Sequence, residues 1–324
     1  MRILLLRENR PGGINNYCNK LFELFKGDDG IKIIKPYDIK THSLPGLHGR
    51  YDIADLRDSI NKADIIHING YTSYQTVQAF EYAKKLNKSI IYTAHWHPFE
   101  YLKHPTAGKM FFDSFLRSKV KRYCNAVITL NNEDCSFFNK FCDNVIKVPH
   151  WYSDLPTNFH IKRKENMILF VGRINDPVKG IEHLYHIPKG KYEIHCVGSG
   201  GKELKRSDFT IHENIPNVEL TKLYQQASLL IVPSKYEAFS YVSLEALLNG
   251  CPILISERVR IADYIANVKG YSIFKYGDIS DFLHQIPTTI KKKVDVTNVQ
   301  SIFSPKRAAF VYSQVYNNLN QLTF

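Results

Sequence analysis

The chain has 324 residues, enough for two domains that each bury a core of their own. Its hydrophobic content of 44% and charged content of 23% are those of a globular protein, and no apolar run approaches the roughly 20 residues of a membrane span. The net charge of +12 is shared between 22 basic and 16 acidic residues in 1–155 and 21 and 15 in the remainder, so neither half is a dedicated nucleic-acid-binding domain.

The first half of the chain alternates short apolar runs with helical stretches. Residues 2–7 predict a strand, Pro11, Gly12 and Gly13 a turn, and the following amphipathic stretch a helix to about Phe25. Further strands are predicted at 31–34, 64–68, 89–94, 126–130 and 145–148. Strands that alternate with helices indicate a parallel sheet covered on both faces.

The densest basic segment runs from Lys103 to Arg122, with six Lys or Arg against one Asp. It is amphipathic, because four apolar side chains at helical spacing are expected to share one face: Phe111, Phe112, Phe115 and Leu116. Two interpretations stay open. The segment is either a helix on the sheet with a solvated basic face, or a contact surface for an anionic acceptor or lipid.

The second half repeats the alternation after a linker at 149–166. Strands are predicted at 167–171, 192–197, 209–212, 228–232 and 252–255, with helices from about Lys179, at 218–226, and on a stretch that carries both Glu237 and Glu245. In open parallel sheets, ligands bind beyond the carboxyl ends of the strands. Three of four glycine- or serine-rich turns at such ends belong to this half, which predicts that the main nucleotide site lies there.

The tail is predicted to be a helix that starts with Ser304 as N-cap and Pro305 in the first position. Its apolar residues recur at helical spacing: Ala308, Val311, Tyr312, Val315, Leu319 and Leu322, with Phe310 and Tyr316 widening the stripe. Such a stripe needs a partner. Packing on its own half and packing on the first half both remain open.

Three motifs of the second half suit a phosphorylated ligand. In "FVGRINDPVKG", Arg173 and Lys179 are two cations at the end of a strand, suited to a diphosphate or simply solvated on a surface turn. The glycine run that begins at Gly198 indicates only weakly that the backbone turns tightly or comes close to another group there. The helix that follows Ser240 offers N–H groups to phosphate, and Glu245 further along would accept hydrogen bonds from a ribose diol.

These motifs, with "RPGGINNY", "YTAHWHPF", "VGSGG", "VELTKLYQQASLLIVPS" and "EAFSYVSLEALLNGCPIL", occur in an order that resembles the retaining GT-B glycosyltransferases of glycosyltransferase family 4, or glycosyl transferases group 1. The resemblance covers almost the whole chain. It implies an α/β fold of two doubly wound Rossmann-like domains that face each other across a cleft, with the C-terminal helix crossing back to the first domain. The implied bounds are 1–155 for the acceptor-binding domain, 156–303 for the donor-binding domain and 304–324 for the helix.

The resemblance also implies the roles of individual residues. Glu245 would hold the ribose of a nucleoside-diphosphate sugar, Glu237 would lie against the transferred sugar, and His95 would contact that sugar near the reacting centre. The residues implied in catalysis are His95, Arg173, Lys179 and Glu237. The residues implied in donor binding are Gly12, Gly13, Arg173, Lys179, Gly198, Glu237, Ala238, Phe239, Ser240, Tyr241 and Glu245.

Several features of the chain depart from the family or qualify these roles. Family members usually have E-G-F-G where this chain has Glu237-Ala238-Phe239-Ser240, which puts the shape of the sugar pocket in question. His95 is also open to a packing or capping role. The chain has no D-x-D pair, so no metal or cofactor is expected, since Arg173 and Lys179 would neutralise the leaving group.

The remaining expectations concern partners and location. The donor is expected to be a UDP- or GDP-sugar, and the acceptor a carbohydrate or lipid-linked molecule of surface polysaccharide, lipopolysaccharide or glycolipid assembly. A modified DNA base stays open as an acceptor, and nucleic-acid binding without catalysis stays open as another class of function. Six scattered cysteines without a C-x-x-C pair and the lack of a signal peptide predict a cytoplasmic protein, with peripheral membrane contact through the basic segment as an option.

Overall fold

The computed structural model describes residues 1–7, 13–34, 39–42, 49–70, 73–95, 105–201, 204 and 206–320. Its contacts divide the chain into two compact units. The first unit consists of Met1–His150 and Pro305–Phe324, and the second unit consists of Trp151–Ser304. The first division therefore falls at His150 rather than at residue 155, and the second falls after Ser304 rather than after residue 303.

Each unit is built on a six-stranded sheet in which all neighbouring strands are parallel. The strands are β1 Arg2–Arg7, β2 Lys32–Ile34, β3 Thr41–His42, β4 Arg50–Tyr51, β5 Ile65–Asn69, β6 Ser89–Thr93, β7 Ala126–Thr129, β8 Val145–Lys147, β9 Met167–Val171, β10 Glu193–Val197, β11 Phe209–His212, β12 Leu229–Val232, β13 Ile253–Ser256 and β14 Tyr271–Phe274. The strand orders are β2-β1-β5-β6-β7-β8 and β11-β10-β9-β12-β13-β14, and β3 and β4 form a small antiparallel pair. The doubly wound α/β fold class is confirmed.

Helices cover these sheets. The α-helices are α1 Gly13–Leu24, α2 Ile53–Asn61, α3 Tyr74–Lys85, α4 Pro105–Phe111, α5 Arg117–Tyr123, α6 Asn132–Phe138, α7 Asn217–Gln226, α8 Tyr241–Leu248, α9 Ala262–Ile265, α10 Ile279–Ile290, α11 Val296–Ile302 and α12 Pro305–Asn320. A π-helical turn, Phe112–Leu116, joins α4 to α5. Strands such as β5 and β6 are buried along their whole length, as expected for parallel strands with helices on both faces.

The terminal helix α12 belongs to the first unit although it follows the second unit in the chain. Its buried stripe consists of Ala308, Tyr312, Val315, Tyr316 and Leu319. The expected return of the C-terminal helix to the first domain is therefore part of the observed fold. Phe310 does not widen the stripe, because 65% of its surface is exposed.

The basic segment differs from the single amphipathic face expected from its sequence. Phe112 and Leu116 are fully buried, whereas Phe115 and Met110 remain 52% and 64% exposed. The reason is the π-helical turn, whose i→i+5 pairing shifts side chains relative to the α-helical spacing. Of the four residues expected on one face, Phe112 and Leu116 lie in the core, Phe111 is partly buried against it, and Phe115 is exposed.

Two expected helices of the second unit are also different. In place of a helix from about Lys179, the chain forms two short 3₁₀ turns, Pro177–Lys179 and Ile181–His186. Glu237 and Glu245 do not share a helix, because Glu237 lies in the loop before α8, where it forms an isolated bridge with Val259. A run of residues that looked helical is held as a loop by its pairing with the turn after β13.

The six cysteines form no disulfide, and three of them lie in the core. All six cysteines are free thiols. Burial raises the pKa of Cys18, Cys196 and Cys251 to about 12, so these thiols behave as small apolar side chains. Within the described residues, no helix has the length and hydropathy needed to cross a bilayer.

Candidate active site

Arg173 and Lys179 lie on the loop that follows β9 in the second unit. Asp176 shapes this loop, because its carboxylate accepts a hydrogen bond of 3.0 Å from the backbone N–H of Val178 and pairs with the Arg173 guanidinium at 2.5 Å. The Arg173 side chain is 70% exposed. Its planar donor fork is therefore held near the sheet edge by one carboxylate while most of its surface still meets solvent.

Lys179 is brought against Glu237, which the sequence separates by 58 positions. The Lys179 Nζ lies 3.0 Å from Glu237 Oε1, and the same oxygen accepts a 2.8 Å hydrogen bond from the Ser234 hydroxyl. The two charged side chains are only 26% and 13% exposed. In such partial burial each charge depends on the other, since an unpaired buried charge is costly.

The position of Glu237 is fixed by its backbone. Its N–H donates to the carbonyl of Arg258 at 3.2 Å, and its carbonyl accepts from the N–H of Arg260 at 3.0 Å. The loop after β12 is thereby tied to the loop after β13. These two backbone hydrogen bonds therefore fix the loop that carries the Glu237 side chain.

Two glycines allow the loops after β9, β10 and β12 to pack directly on one another. Gly180 has φ +67°, and a Cβ there would lie 1.9 Å from the carbonyl oxygen of Pro233. Gly198 has φ +144°, and its Cβ would lie 1.9 Å from the carbonyl oxygen of Gly172. A side chain would force these loops apart, so the glycines bring the ends of three strands into one continuous edge.

Ser240 replaces the glycine that the family usually has, yet it keeps a glycine-like backbone. Its φ of +151° is a conformation that L-residues rarely adopt. Its hydroxyl accepts hydrogen bonds from the N–H and the hydroxyl of Ser243, and in this way caps α8. The backbone at Ser240 is therefore one that glycine adopts more readily, and the cap compensates for part of the strain.

The residues before Ser240 are buried, whereas the residue after it begins helix α8. Ala238 and Phe239 are 8% and 4% exposed, and the Phe239 ring packs against Phe303 and Tyr241 at centroid distances of 5.6 and 5.7 Å. The side chain of Phe239 is therefore core, and only its backbone is left to meet a ligand. Tyr241 opens α8, whose N-terminal end carries the positive pole of the helix dipole.

Glu245 has an exposed side chain that is held by a buried tyrosine. The Tyr224 hydroxyl donates to Glu245 Oε2 at 3.0 Å from the neighbouring helix α7. Burial and the nearby carboxylate raise the pKa of Tyr224 well above its usual value, so the phenol stays protonated as a donor. The sequence analysis missed Tyr224; its only signal was a tyrosine on the inner face of the helix before β12.

His95 belongs to the first unit, where it follows β6 with a left-handed backbone, φ +47°. Its Nε2 lies 3.2 Å from Asn69 Oδ1 at the end of β5. The Tyr17 ring meets the imidazole edge-on at 4.7 Å, and the His150 ring stacks at 6.5 Å. Gly13 begins α1, whereas Gly12 and the neighbours of His95 at 96–100 lie outside the described residues.

A buried polar network lies beneath His95. The Tyr17 and Tyr312 hydroxyls are 2.6 Å apart, and the His67 ring bridges the Tyr316 hydroxyl at 2.9 Å and the Thr93 hydroxyl at 2.8 Å. Burial lowers the pKa of His67 to about 3, and a proton on nearby His95 would act in the same direction. These groups are neutral, and sequence reasoning found none of them because no motif marks them.

The second unit matches a known family model. Residues 165–292 match the model described as glycosyl transferases group 1. A protein in the cps region of Klebsiella pneumoniae is 24% identical over 231 residues, which are 64% of this chain and 64% of that protein. A glycosyltransferase of Methanocaldococcus jannaschii is 31% identical over 157 residues, 40% of each chain. The matches thus span less than two thirds of either relative, and the resemblance drawn from the motifs is confirmed.

Solved structures share the fold over the whole chain. Sucrose-phosphate synthase from Thermosynechococcus elongatus has a TM-score of 0.71 at 17% identity, with 100% of both chains covered. Anabaena HepE in complex with UDP has a TM-score of 0.72 at 13% identity, covering 98% of this chain and 100% of HepE. HepE has also been solved with UDP-glucose, with a TM-score of 0.70 at 14% identity over the same shares. At these identities the likeness establishes the fold.

Proposed function

We propose that this protein is a glycosyltransferase that moves a sugar from a nucleoside-diphosphate sugar to an acceptor hydroxyl with retention of anomeric configuration. The observation that supports this best is the edge formed by the loops after β9 and β12. There Lys179 and Glu237 are paired at 3.0 Å, and Glu245 on the following helix, α8, is held by Tyr224 of α7. This edge offers cations to phosphates and carboxylates to hydroxyls. It therefore fits a nucleotide sugar better than it fits a nucleotide or a sugar alone.

The diphosphate would be bound by Arg173, Lys179 and the N-terminal end of α8. Arg173 offers a planar fork with 70% of its surface exposed, and Lys179 offers a compact charge at the same edge. The helix N-terminus adds its dipole. When the bond between the anomeric carbon and the diphosphate oxygen breaks, negative charge develops on the leaving group, and these groups stabilise it.

The two carboxylates would recognise opposite ends of the donor. Glu245 would accept hydrogen bonds from the ribose hydroxyls, with Tyr224 fixing the orientation of the carboxylate through the 3.0 Å bond. Glu237 would accept from hydroxyls of the transferred sugar. Its negative charge is offset by Lys179, so it does not repel the adjacent diphosphate. No residue is assigned as a covalent nucleophile.

The reaction is proposed to need no metal or other cofactor, since Arg173 and Lys179 supply the positive charge that a divalent cation would otherwise provide. The donor is proposed to be a UDP- or GDP-sugar. UDP-sugars come first, because HepE binds UDP and UDP-glucose. Turnover that is unchanged by a chelator is expected, and loss of turnover that Mg²⁺ restores would contradict metal independence.

The acceptor is proposed to be a carbohydrate or a lipid-linked saccharide of surface polysaccharide, lipopolysaccharide or glycolipid assembly. The described part of the basic segment supports the lipid-linked form, because Met110 and Phe115 are exposed beside Lys109 and Arg117. Apolar side chains with flanking cations suit an anionic membrane surface. This would place the protein at the cytoplasmic face of the inner membrane.

The test is a thermal-shift screen of UDP-, GDP- and ADP-sugars, followed by donor-consumption assays with and without acceptors. A donor that binds should raise the melting temperature. At a concentration 100 times its Kd, it should raise the free energy of unfolding by about 2.7 kcal/mol. Sugar transfer that requires a lipid-linked or free saccharide is the expected result. Binding of no nucleotide sugar by the wild type would overturn the proposal, and transfer to duplex DNA would replace the proposed acceptor.

A matched pair of variants checks that a donor found in this screen uses the proposed edge. Glu245→Ala should lose most of the thermal shift, whereas Glu219→Ala, an exposed glutamate on the neighbouring helix α7, should keep it. Equal loss in both variants would mean that the shift reports on something other than the proposed site. Product analysis by NMR of the new glycosidic linkage then decides between retention and inversion.

A further inference from the structure

The orientation of the Asn69 amide follows from its two partners. Asn69 is 1% exposed at the end of β5, and its Nδ2 lies 3.1 Å from the backbone carbonyl oxygen of His67. A carbonyl oxygen only accepts, so the amide nitrogen must be on that side. The amide oxygen, Oδ1, consequently faces the Nε2 of His95 at 3.2 Å.

We infer that Asn69 is a positioning residue that holds neutral His95 in the tautomer with the hydrogen on Nε2. An amide oxygen has no hydrogen to donate, so the short contact requires an N–H at Nε2. The lone pair of the neutral imidazole is then on Nδ1. Any hydroxyl that donates to His95, or any proton that His95 takes up, must use Nδ1.

The surroundings hold the ring in this orientation. Tyr17 meets the imidazole edge-on at 4.7 Å, and His150 stacks on it with an interplanar angle of 17°. The left-handed backbone at His95, φ +47°, sets the direction from which the side chain leaves the strand. Turning the ring over would place a C–H group against the Asn69 oxygen and lose the hydrogen bond.

The consequence rests on the proposed function together with the role that the resemblance implies for His95, which is contact with the transferred sugar. With Nε2 donating to Asn69, a substrate hydroxyl that hydrogen-bonds to neutral His95 has to donate to Nδ1. That arrangement suits a sugar or acceptor hydroxyl, which donates its hydrogen to the ring. The tautomer itself does not depend on the proposed function, and the two are therefore tested by separate readouts.

The first readout is the ¹⁵N spectrum of His95 in the full-length protein, assigned by comparison with His95→Gln and recorded at a pH where the ring is neutral. Protonated and unprotonated ring nitrogens have well-separated shifts. The expected result is a protonated Nε2 and an unprotonated Nδ1. A protonated Nδ1 with an unprotonated Nε2 would overturn the inference, and this measurement needs no variant of Asn69 that folds.

The second readout compares variants at position 69. Asn69→Ala should release the tautomer into a mixture and lower kcat about tenfold, the equivalent of one lost hydrogen bond of about 1.4 kcal/mol. Asn69→Asp keeps an acceptor oxygen and should keep the hydrogen on Nε2. The matched control is Asn125→Ala, which removes a 2.8 Å bond to the N–H of Ile90 at the other end of β6 and should leave the His95 spectrum unchanged.

The outcomes separate the two proposals. An unchanged His95 spectrum in Asn69→Ala would overturn the positioning role. A changed spectrum with unchanged kcat would support the role of Asn69 and count against the contact of His95 with substrate. A changed spectrum with reduced kcat in Asn69→Ala, together with a retained tautomer in Asn69→Asp, would support both.

Discussion

The carboxyl edges of the two sheets are built by opposite means. In the second unit the edge carries ion pairs, such as Lys179–Glu237 and Arg173–Asp176, between partly exposed side chains. Among the described residues of the first unit, the side chains near the carboxyl ends of β5 and β6 include neutral, fully buried hydroxyls and imidazoles, with His67 at their centre. The charged edge of the second unit suits the binding of a charged ligand. The neutral, buried network of the first unit suits the fixing of side-chain positions.

The two units also differ in how far apart in the sequence their contacting residues lie. Lys179 and Glu237 are 58 positions apart, and Tyr224 and Glu245 are 21 apart. Tyr17 and Tyr312 are separated by 295 positions. The second unit thus assembles its edge from neighbouring loops, whereas the first unit needs a helix from the far end of the chain.

The largest expected effect follows removal of that helix. In a chain that ends at Phe303, the first unit should lose its cooperative fold, because the core loses Tyr312, Tyr316 and Leu319, each worth about 1.5–3 kcal/mol of burial. Urea denaturation and limited proteolysis measure this. Phe310→Ser on the same helix is the control, since Phe310 is 65% exposed. Full stability of the shortened chain would contradict the packing of α12.

The second effect is acid sensitivity that originates at His67 in the first unit. Because the pKa of His67 is lowered to about 3 in the fold, the unfolded state binds the extra proton first as pH falls below about 6.5. The stability due to neutral His67 is complete above about pH 6.5 and declines toward pH 3, by up to about 1.4 kcal/mol per pH unit.

The measurement compares the wild type with His67→Gln, which cannot gain that proton. Denaturant titrations at several pH values, with peptides of β5 followed by hydrogen exchange, should show the steeper decline only in the wild type. Parallel declines in the two proteins would contradict the neutral state of the buried histidine. Peptides of β12 in the second unit serve as the internal reference.

The third effect concerns charge at the edge of the second unit. Lys179→Ala should lower kcat by about 10²–10³-fold with a smaller change in donor KM, because leaving-group charge grows in the transition state. Lys191→Ala is the matched control, since Lys191 is exposed before β10 and takes no part in this edge. Wild-type turnover of Lys179→Ala would overturn its assignment.

The edge of the second unit was largely predictable from sequence, and the edge of the first was not. Arg173, Lys179, Glu237 and Glu245 stand in short spacings whose residue types suggest their chemistry. The fold class, most strands and the start of α12 at Pro305 followed from periodicity and turn residues. The position of Glu237 off the helix could not be foreseen, because its pairing with the turn at Val259 is a tertiary contact.

The first unit shows where pattern reasoning ends. Nothing near His67 or Thr93 in the sequence distinguishes a buried hydrogen-bonded pair from an ordinary strand. Asn69 ends the same strand and looks like a turn residue. The partner of His67 is Tyr316 on α12 and the partner of Asn69 is His95 after β6, so their roles appear only once distant segments are placed together.

The fourth effect is smaller and concerns Tyr224 as the support of Glu245. Tyr224→Phe should raise the donor KM about five- to tenfold, the equivalent of one hydrogen bond, and Glu245→Ala should raise it further. In a double-mutant cycle the effect of Tyr224→Phe should vanish once Glu245 is absent. Additive effects would show that the tyrosine acts on the donor by another route.

The smallest effect is expected at Ser240. Ser240→Gly relieves a φ of +151° but removes the cap of α8. The relieved strain of about 1–3 kcal/mol exceeds the few tenths of a kcal/mol that a change from Ser to Gly costs at an N-cap, so the free energy of unfolding should rise. Ser243→Ala removes the same hydroxyl contact without changing φ and is the control. A clear loss of stability in Ser240→Gly would mean that the backbone is not strained.

The place of α12 in the chain sets an order for assembly during synthesis. The ribosome must make all of Trp151–Ser304 after His150 before the helix that completes the first unit emerges. At about 5–20 residues per second this takes roughly 8–30 s, during which the second unit has time to form. The nascent first unit meanwhile exposes the surface that receives Tyr312 and Tyr316, so the interval between its synthesis and its completion is when it most needs a chaperone.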